Sequence, residues 1–349
     1  MAQHKIKVLV IDDSSVVRHI IQKQLQDDPE IEVIGTAKDP FDAKDKILEL
    51  RPDVLTLDIE MPKMTGVDFL RQLLPQYPIP VVMVSSLTKK GSSITMKSLE
   101  LGAVDFISKP KGDIIGGLDD VMDELREKIK IAAHVDIIHL MQQRQNTPAI
   151  KPEALSNVDG NKIIAIGVST GGLETTKRIL SGLPHNMPGI VITQHMPAGY
   201  TKSYAQTLND QCDLHVVEAQ DGDRVMPGKV LVAPGGFQMA VHGRPGDYHV
   251  KCFEGEKVSG HCPSVDVLFT SVAQAAGKYA IGVILTGMGK DGSAGMLQMK
   301  QKGAFNIAQD EKTSIVFGMP RVTIEIGAHS AVCPLDTIAA TLIRQASVR

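Results

Sequence analysis

Short apolar runs alternate with amphipathic segments along this chain, and the alternation restricts the fold severely. In the first part the runs are Ile6–Ile11, Ile31–Gly35, Val54–Leu57, Val81–Val84 and Val104–Ile107. Between them lie Ser15–Leu25, Phe41–Leu50, Val67–Leu74 and Ser92–Leu101, which read as helices. Strict alternation of this kind predicts a parallel sheet covered by helices on both faces. Past Gly160 the rhythm resumes with the run after Lys162, then Ile190–Gln194 and Ile281–Leu285. At 349 residues the chain is too long for one small core. The reading is therefore α/β, with two doubly wound parallel-sheet domains: a five-stranded first domain and a larger second one. In the latter, Gly228–Gly236, Met239–Val241 and His249–Cys252 read as short strands joined by glycine turns, with a hairpin at the sheet's edge.

Composition removes several function classes. Hydrophobic residues make up 43% and charged residues 22%, as in an ordinary globular protein, and the net charge of −3 argues against a broad grip on nucleic acid. Met1–Lys7 is polar, and no segment reaches the roughly 20 apolar residues of a membrane span. A cytoplasmic location without membrane insertion is expected. Cys212, Cys252, Cys262 and Cys333 are scattered, so neither disulfides nor a structural zinc site is expected.

In a doubly wound sheet, chemistry gathers beyond the carboxyl ends of the strands. In the first domain those ends carry Asp12-Asp13, Asp58, Ser85 and Lys109. Three carboxylates on one rim suit Mg²⁺. Asp58 is then placed to act as a nucleophile toward phosphorus, with Lys109 neutralising phosphoryl oxygens and Ser85 hydrogen-bonding one of them. Taken singly, Asp12 and Asp13 read as caps of the helix near Ser15, and Lys109 as a solvated cation. Their convergence on one rim favours the pocket.

The stretches Val8-Leu9-Val10-Ile11-Asp12-Asp13-Ser14, Leu57–Gly66 and Ser108-Lys109-Pro110 resemble the signatures of two-component receiver domains, over about the first 125 residues. The resemblance implies that Asp58 is the phosphoacceptor, that Asp12, Asp13 and Asp58 form the Mg²⁺ site, and that Ser85 and Lys109 contact the phosphoryl group. Phe106 falls at the family's aromatic switch position, where phenylalanine leaves burial of the ring as the only signal.

Leu118–Met141 reads as the last helix of this domain continuing toward a linker, after Gly116-Gly117. Gln142–Asn161 turns polar and holds Pro148 and Pro152. The expected domains are residues 1–128, a linker over 129–158, and a second domain over 159–349.

In that second domain, Gly167-Val168-Ser169-Thr170-Gly171 satisfies the G-x-S-x-G nucleophile pattern. At ordinary glycine and serine usage such a match arises by chance in roughly one chain in ten. Other strand ends add to it: His195 follows Ile190–Gln194, and Asp291 follows Ile281–Leu285 within a glycine-rich turn. A hydroxyl needs a base and the base an orienting acid, so Ser169, His195 and Asp291 are the right three types. Their chain order differs from that of α/β-hydrolases. Amides of Thr170 or of the Gly287-Met288-Gly289 turn are available for an oxyanion. Alone, each residue has an ordinary role: Ser169 and Asp291 as caps or turn residues, His195 as one of 11 histidines. Pro263-Ser264-Val265-Asp266 reads as a helix start capped by Ser264.

These motifs, with Gln194-His195-Met196-Pro197, Leu231–Gly235, Pro263–Phe269, Leu285–Gly292, Ala308-Gln309-Asp310-Glu311 and Val316-Phe317-Gly318-Met319-Pro320, resemble the chemotaxis protein-glutamate methylesterase family. With the receiver in front, the resemblance spans essentially the whole chain. It implies Ser169 as nucleophile, His195 as general base, Asp291 as its orienting acid and Met288 at the oxyanion site. The implied substrates are methylated glutamates of methyl-accepting chemotaxis receptors, and the implied phosphodonor is a chemotaxis histidine kinase. Demethylation to glutamate and methanol, and deamidation of receptor glutamines, need no cofactor in the esterase step. Phosphorylation is expected to relieve inhibition by the receiver.

Three rivals are weaker. A dinucleotide site calls for an acid at the end of the strand that reads Gln194-His195. A cysteine hydrolase built on Cys262 and His261 requires two adjacent residues to meet correctly. A DNA-binding output domain lacks a basic reading helix.

Overall fold

Val8–Ile11, Val54–Leu57 and Val81–Val84 have almost no polar face, and every one of these residues is buried. Strands of that kind are stable only between two layers of helices. In a computed structural model describing residues 5–86, 88–109, 118–138, 140–141 and 157–347, they form the centre of such a sandwich. The chain divides into two units, Met1–Asn146 and Thr147–Arg349. Pro110, Gly116, Gly117, Pro148 and Pro152 lie outside the described residues.

The first unit runs β1 (Ile6–Ile11), α1 (Ser15–Gln26), β2 (Ile31–Ala37), α2 (Pro40–Leu50), β3 (Val54–Asp58), α3 (Gly66–Leu73), β4 (Val81–Ser85), α4 (Lys89–Leu101), β5 (Asp105–Ser108) and α5 (Leu118–Ala133). Its five strands are all parallel, in the order β2-β1-β3-β4-β5. Local chemistry sets the helix starts. Asp39 caps α2 through the amides of Phe41 and Asp42, and Thr65 caps α3 through the Asp68 amide. The cap of α1 is Ser14, which accepts from the Val17 amide, so Asp12 and Asp13 are free of the capping role. α5 stops at Ala133 rather than continuing to Met141, and a further turn is closed by the Leu140 amide on the Asp136 carbonyl.

The second unit runs β6 (Ile163–Val168), α6 (Gly172–Ser181), β7 (Gly189–Gln194), α7 (Thr201–Asn209), β8 (His215–Glu218), β9 (Arg224–Val225), β10 (Lys229–Val232), β11 (Gln238–Arg244), β12 (Asp247–Phe253), α8 (Val265–Ala276), β13 (Ala280–Ile284), α9 (Ser293–Gln301), β14 (Phe305–Gln309), α10 (Met319–Glu325), β15 (Ala331–Cys333) and α11 (Leu335–Ala346). Seven parallel strands lie in the order β15-β14-β13-β6-β7-β10-β8, which puts β6 at the centre. The hairpin β11–β12 does not extend an edge of this sheet. The edges are β8 and β15, and the hairpin joins β9 in a separate antiparallel sheet. The cause is the helix behind it. β11 packs on α8, where the Val241 amide donates to Ser271 Oγ at 2.8 Å, and Met239, Val241, Val250, Leu268, Phe269 and Val272 share one core. Among the described residues no helix is long and apolar enough to cross a membrane.

Candidate active site and acidic pocket

β6 lies between β13 and β7, and the turns beyond the three strands stay together. The Ser169 amide donates to the Thr286 carbonyl at 3.0 Å, and Thr286 Oγ1 donates to the Thr170 carbonyl at 3.0 Å. On the other side Val168 pairs with Gln194, and the His195 amide donates to the Val168 carbonyl at 3.1 Å. The three predicted residues therefore share one rim. Ser169 stands where the chain turns from β6 into α6. Gly171, at φ +79°, makes that turn, and the Gly172 amide returns to the Ser169 carbonyl at 2.9 Å.

His195 Nε2 donates to Asp291 Oδ2 at 2.7 Å. His195 Nδ1 is buried and, among the described residues, has no hydrogen-bond partner. Asp291 is 1% exposed and sits at the amino end of α8. Its Oδ1 accepts from Ser264 Oγ (2.8 Å) and the Asp266 amide (2.9 Å), and its Oδ2 accepts from the Val265 amide (2.8 Å). A carboxylate with two backbone donors at a helix amino terminus is strongly held in its charged form. Burial pushes the Asp291 carboxyl up, but His195 and the amides of Asp266 and Val265 outweigh it and hold it below the usual carboxylate range. The neighbouring Asp266 is pushed the other way, by burial and by the Asp291 charge, although the Gly295 amide and Ser259 stabilise its anion.

The Gly287-Met288-Gly289 turn is braced from one segment. The Gly287 amide donates to the Val316 carbonyl at 3.0 Å, and its carbonyl accepts from the amides of Gly318 (3.1 Å) and Met319 (2.8 Å). That explains the Val316–Pro320 motif. Gln309 accounts for another: its Oε1 accepts from the Thr286 amide at 2.8 Å. Thr170 is buried, and Met288 is 40% exposed.

Two residues have contacts at the site that the sequence does not reveal. His261 stacks on His195, with ring centroids 3.5 Å apart and planes 11° from parallel. Ser264 was visible as a helix cap, not as a partner of Asp291. Cys262 is not a nucleophile in this arrangement. Its thiol points to the Gly255 carbonyl at 3.8 Å and burial pushes its pKa up, while the adjacent His261 ring lies on His195.

In the first unit, oxygens of Asp12, Asp13 and Asp58 lie within 4.8 Å of one another. Asp12 and Asp58 are buried and Asp13 is exposed. Lys109 Nζ bridges the buried pair, 2.9 Å from Asp12 Oδ2 and 2.9 Å from Asp58 Oδ2. Burial pushes the Asp58 carboxyl up to about 6; Lys109 opposes this and the Asp12 charge adds to it. Burial works against the Lys109 charge, yet Asp58 and Asp12 hold its pKa above the ordinary value. An all-carboxylate set with one member open to solvent fits a hard divalent cation that keeps waters. Ser85 ends β4, and its Oγ is 2.7 Å from Thr95 Oγ1 on α4. Phe106 is buried at 2% exposure, with Lys128 Nζ 5.2 Å from its ring centroid.

A receiver-type sheet with an acidic pocket, joined to a parallel-sheet unit whose central strand ends in a serine beside a histidine–aspartate pair, defines a response regulator with a hydrolytic output domain. Comparison with known proteins gives the same class. Residues 8–115 match the response regulator receiver domain, and residues 164–342 match the CheB methylesterase family. A protein-glutamate methylesterase/protein-glutamine glutaminase of Syntrophotalea carbinolica is 53% identical over 349 residues, covering 99% of each chain. One from Pseudomonas aeruginosa is 46% identical, covering 99% of this chain and 98% of its own. The solved catalytic domain of Thermotoga maritima CheB methylesterase superposes with a TM-score of 0.51 at 41% identity, over 53% of this chain and 98% of its own. The chain belongs to the CheB methylesterase family.

Proposed function

We propose that this chain is a phosphorylation-activated serine esterase that removes methyl groups from glutamate side chains of chemoreceptors and deamidates receptor glutamines. The observation that carries the reading is the His195–Asp291 pair, which leaves Nδ1 of His195 unpartnered at the strand end beside Ser169. Ser169 Oγ attacks the ester carbonyl and His195 Nδ1 takes its proton. Asp291 stays ionised and stabilises the imidazolium. Amides of Thr170 and Met288 hold the oxyanion, since the Gly287 amide is committed to Val316. Collapse expels the methoxy group, which takes the proton from His195 and leaves as methanol. Water then attacks the acyl-enzyme carbonyl and gives a proton to His195, which passes it to Ser169 Oγ as the acyl bond breaks and the glutamate side chain is released. A glutamine substrate follows the same path, with ammonia as leaving group. His261, flat against His195, keeps the imidazole in plane during both transfers.

In the receiver, Asp58 accepts the phosphoryl group from a chemotaxis histidine kinase. Asp12, Asp13 and Asp58 would hold Mg²⁺, which when bound neutralises phosphoryl oxygens. Lys109 supplies a second positive charge at the same oxygens. Ser85 leaves Thr95 to hydrogen-bond the phosphoryl group, and Phe106 reports the change through its burial. An activation of about 100-fold needs only about 2.7 kcal/mol of coupling. The protein works in the cytoplasm, where receptor helices present their methylation sites.

Labelling with a fluorophosphonate tests the nucleophile. Mass spectrometry should place the adduct on the peptide carrying Ser169, and Ser169→Ala should remain unlabelled. Label retained by that variant would overturn the assignment.

A further inference from the structure

Gln194 is the last residue of β7 and is 4% exposed. Its Nε2 donates to two backbone carbonyls, Ser169 O at 2.9 Å and His195 O at 3.2 Å. Both partners only accept, so the amide is oriented with its nitrogen toward them. The sheet ladder between β6 and β7 reaches the Val168–Gln194 pair and the His195 amide on Val168, and goes no further. Gln194 supplies the next rung with its side chain, tying the residue after β6 to the residue after β7. The seat is shaped for it: a Cβ on Gly172 would lie 2.0 Å from Gln194 Oε1, so glycine there makes room for the amide.

We infer that Gln194 is a positioning residue for catalysis, one that fixes the separation of Ser169 and His195 through their main chains. The inference rests on the reading of these two as nucleophile and base. Misplacement of reacting groups by about 1 Å costs on the order of 100-fold in rate, so a side chain clamping both backbones has leverage without touching substrate.

The test uses the full-length protein activated by acetyl phosphate and Mg²⁺, with methylated receptor membranes as substrate. Rates are normalised to serines titrated by a fluorophosphonate, so that a purely structural loss, which lowers the number of competent molecules, does not register. Gln194→Met should lower kcat per titrated serine at least tenfold, leave KM within twofold, and slow fluorophosphonate labelling by the same factor as kcat. Should that variant fail to fold, Gly172→Ala, which pushes the amide off its seat, carries the same expectation. A normalised kcat within twofold of wild type, or a raised KM with unchanged kcat, overturns the inference. Ser169→Ala run alongside separates the two failures: if it is inactive and unlabelled while Gln194→Met behaves as wild type, only the role of Gln194 falls.

Discussion

Asp291 grips His195 through Nε2, at 2.7 Å, and its carboxylate is itself gripped by the first turn of α8. On the proposed mechanism the proton-accepting nitrogen is therefore Nδ1, and the carboxylate that orients it is held by two backbone amides and the Ser264 hydroxyl.

Asp291→Asn removes the charge that holds the imidazole in this tautomer. We expect kcat for methanol release to fall about 10⁴-fold, with the fold retained. In the wild type the carboxyl is held below the ordinary value, so its contribution to stability is complete above that value and lost only as pH falls beneath it. Activity between pH 6 and 9, roughly the range around neutrality, should show no limb from Asp291. A kcat for Asp291→Asn within roughly tenfold of wild type would contradict the assignment.

Ser264 donates to Asp291 Oδ1 and caps α8 through the Val267 amide. Ser264→Ala should cost about 0.5–2 kcal/mol in the denaturant unfolding of the catalytic domain. Its kcat should fall by less than that of Asp291→Asn, because the amides of Val265 and Asp266 still hold the carboxylate.

Gly287 lies against Ser169, the proposed nucleophile: a Cβ there would stand 2.6 Å from Ser169 Cβ and 2.4 Å from Met319 Sδ. Gly287→Ala must shift one of them. We expect about a 100-fold loss of kcat at a stability cost of about 1–3 kcal/mol, measured by steady-state kinetics and thermal melting. Unchanged kcat would show that the turn yields away from Ser169.

Asp58 gives a prediction of opposite sign to Asp291. Its carboxyl is raised to about 6, so between about pH 4 and 6 the folded receiver binds more protons than the unfolded chain. Stability contributed by this group is therefore lost as pH rises through that window, by on the order of 3 kcal/mol without metal. In chelator, Asp58→Asn should be more stable than wild type at pH 7.5 and lose that advantage by pH 4. Mg²⁺ should narrow the gap at pH 7.5. An equal gap at both pH values would mean that Asp58 is not raised.

Much of this was legible in the sequence, for identifiable reasons. Strands such as Val81–Val84 and Ile190–Ile192 are apolar on both faces, so the α/β class and the strand ends that carry the candidate residues followed from pattern. What pattern did not reveal was contact across distant chain segments. Ser264 reads as a cap whether or not a carboxylate from 27 residues downstream sits on it. His261 carries no signal of its stacking on His195, because a loop between β12 and α8 places it there. The hairpin β11–β12 was recognised, but its partners β9 and α8 are set by tertiary packing, and edge placement was the wrong inference from local alternation.

The most direct measurement is methanol release from methylated receptor membranes by wild type, Ser169→Ala and Asp58→Asn, each with and without acetyl phosphate and Mg²⁺. The account predicts release by wild type that rises with the phosphodonor, no release by Ser169→Ala, and basal release by Asp58→Asn that ignores the phosphodonor. Release by Ser169→Ala, or activation of Asp58→Asn, would contradict it.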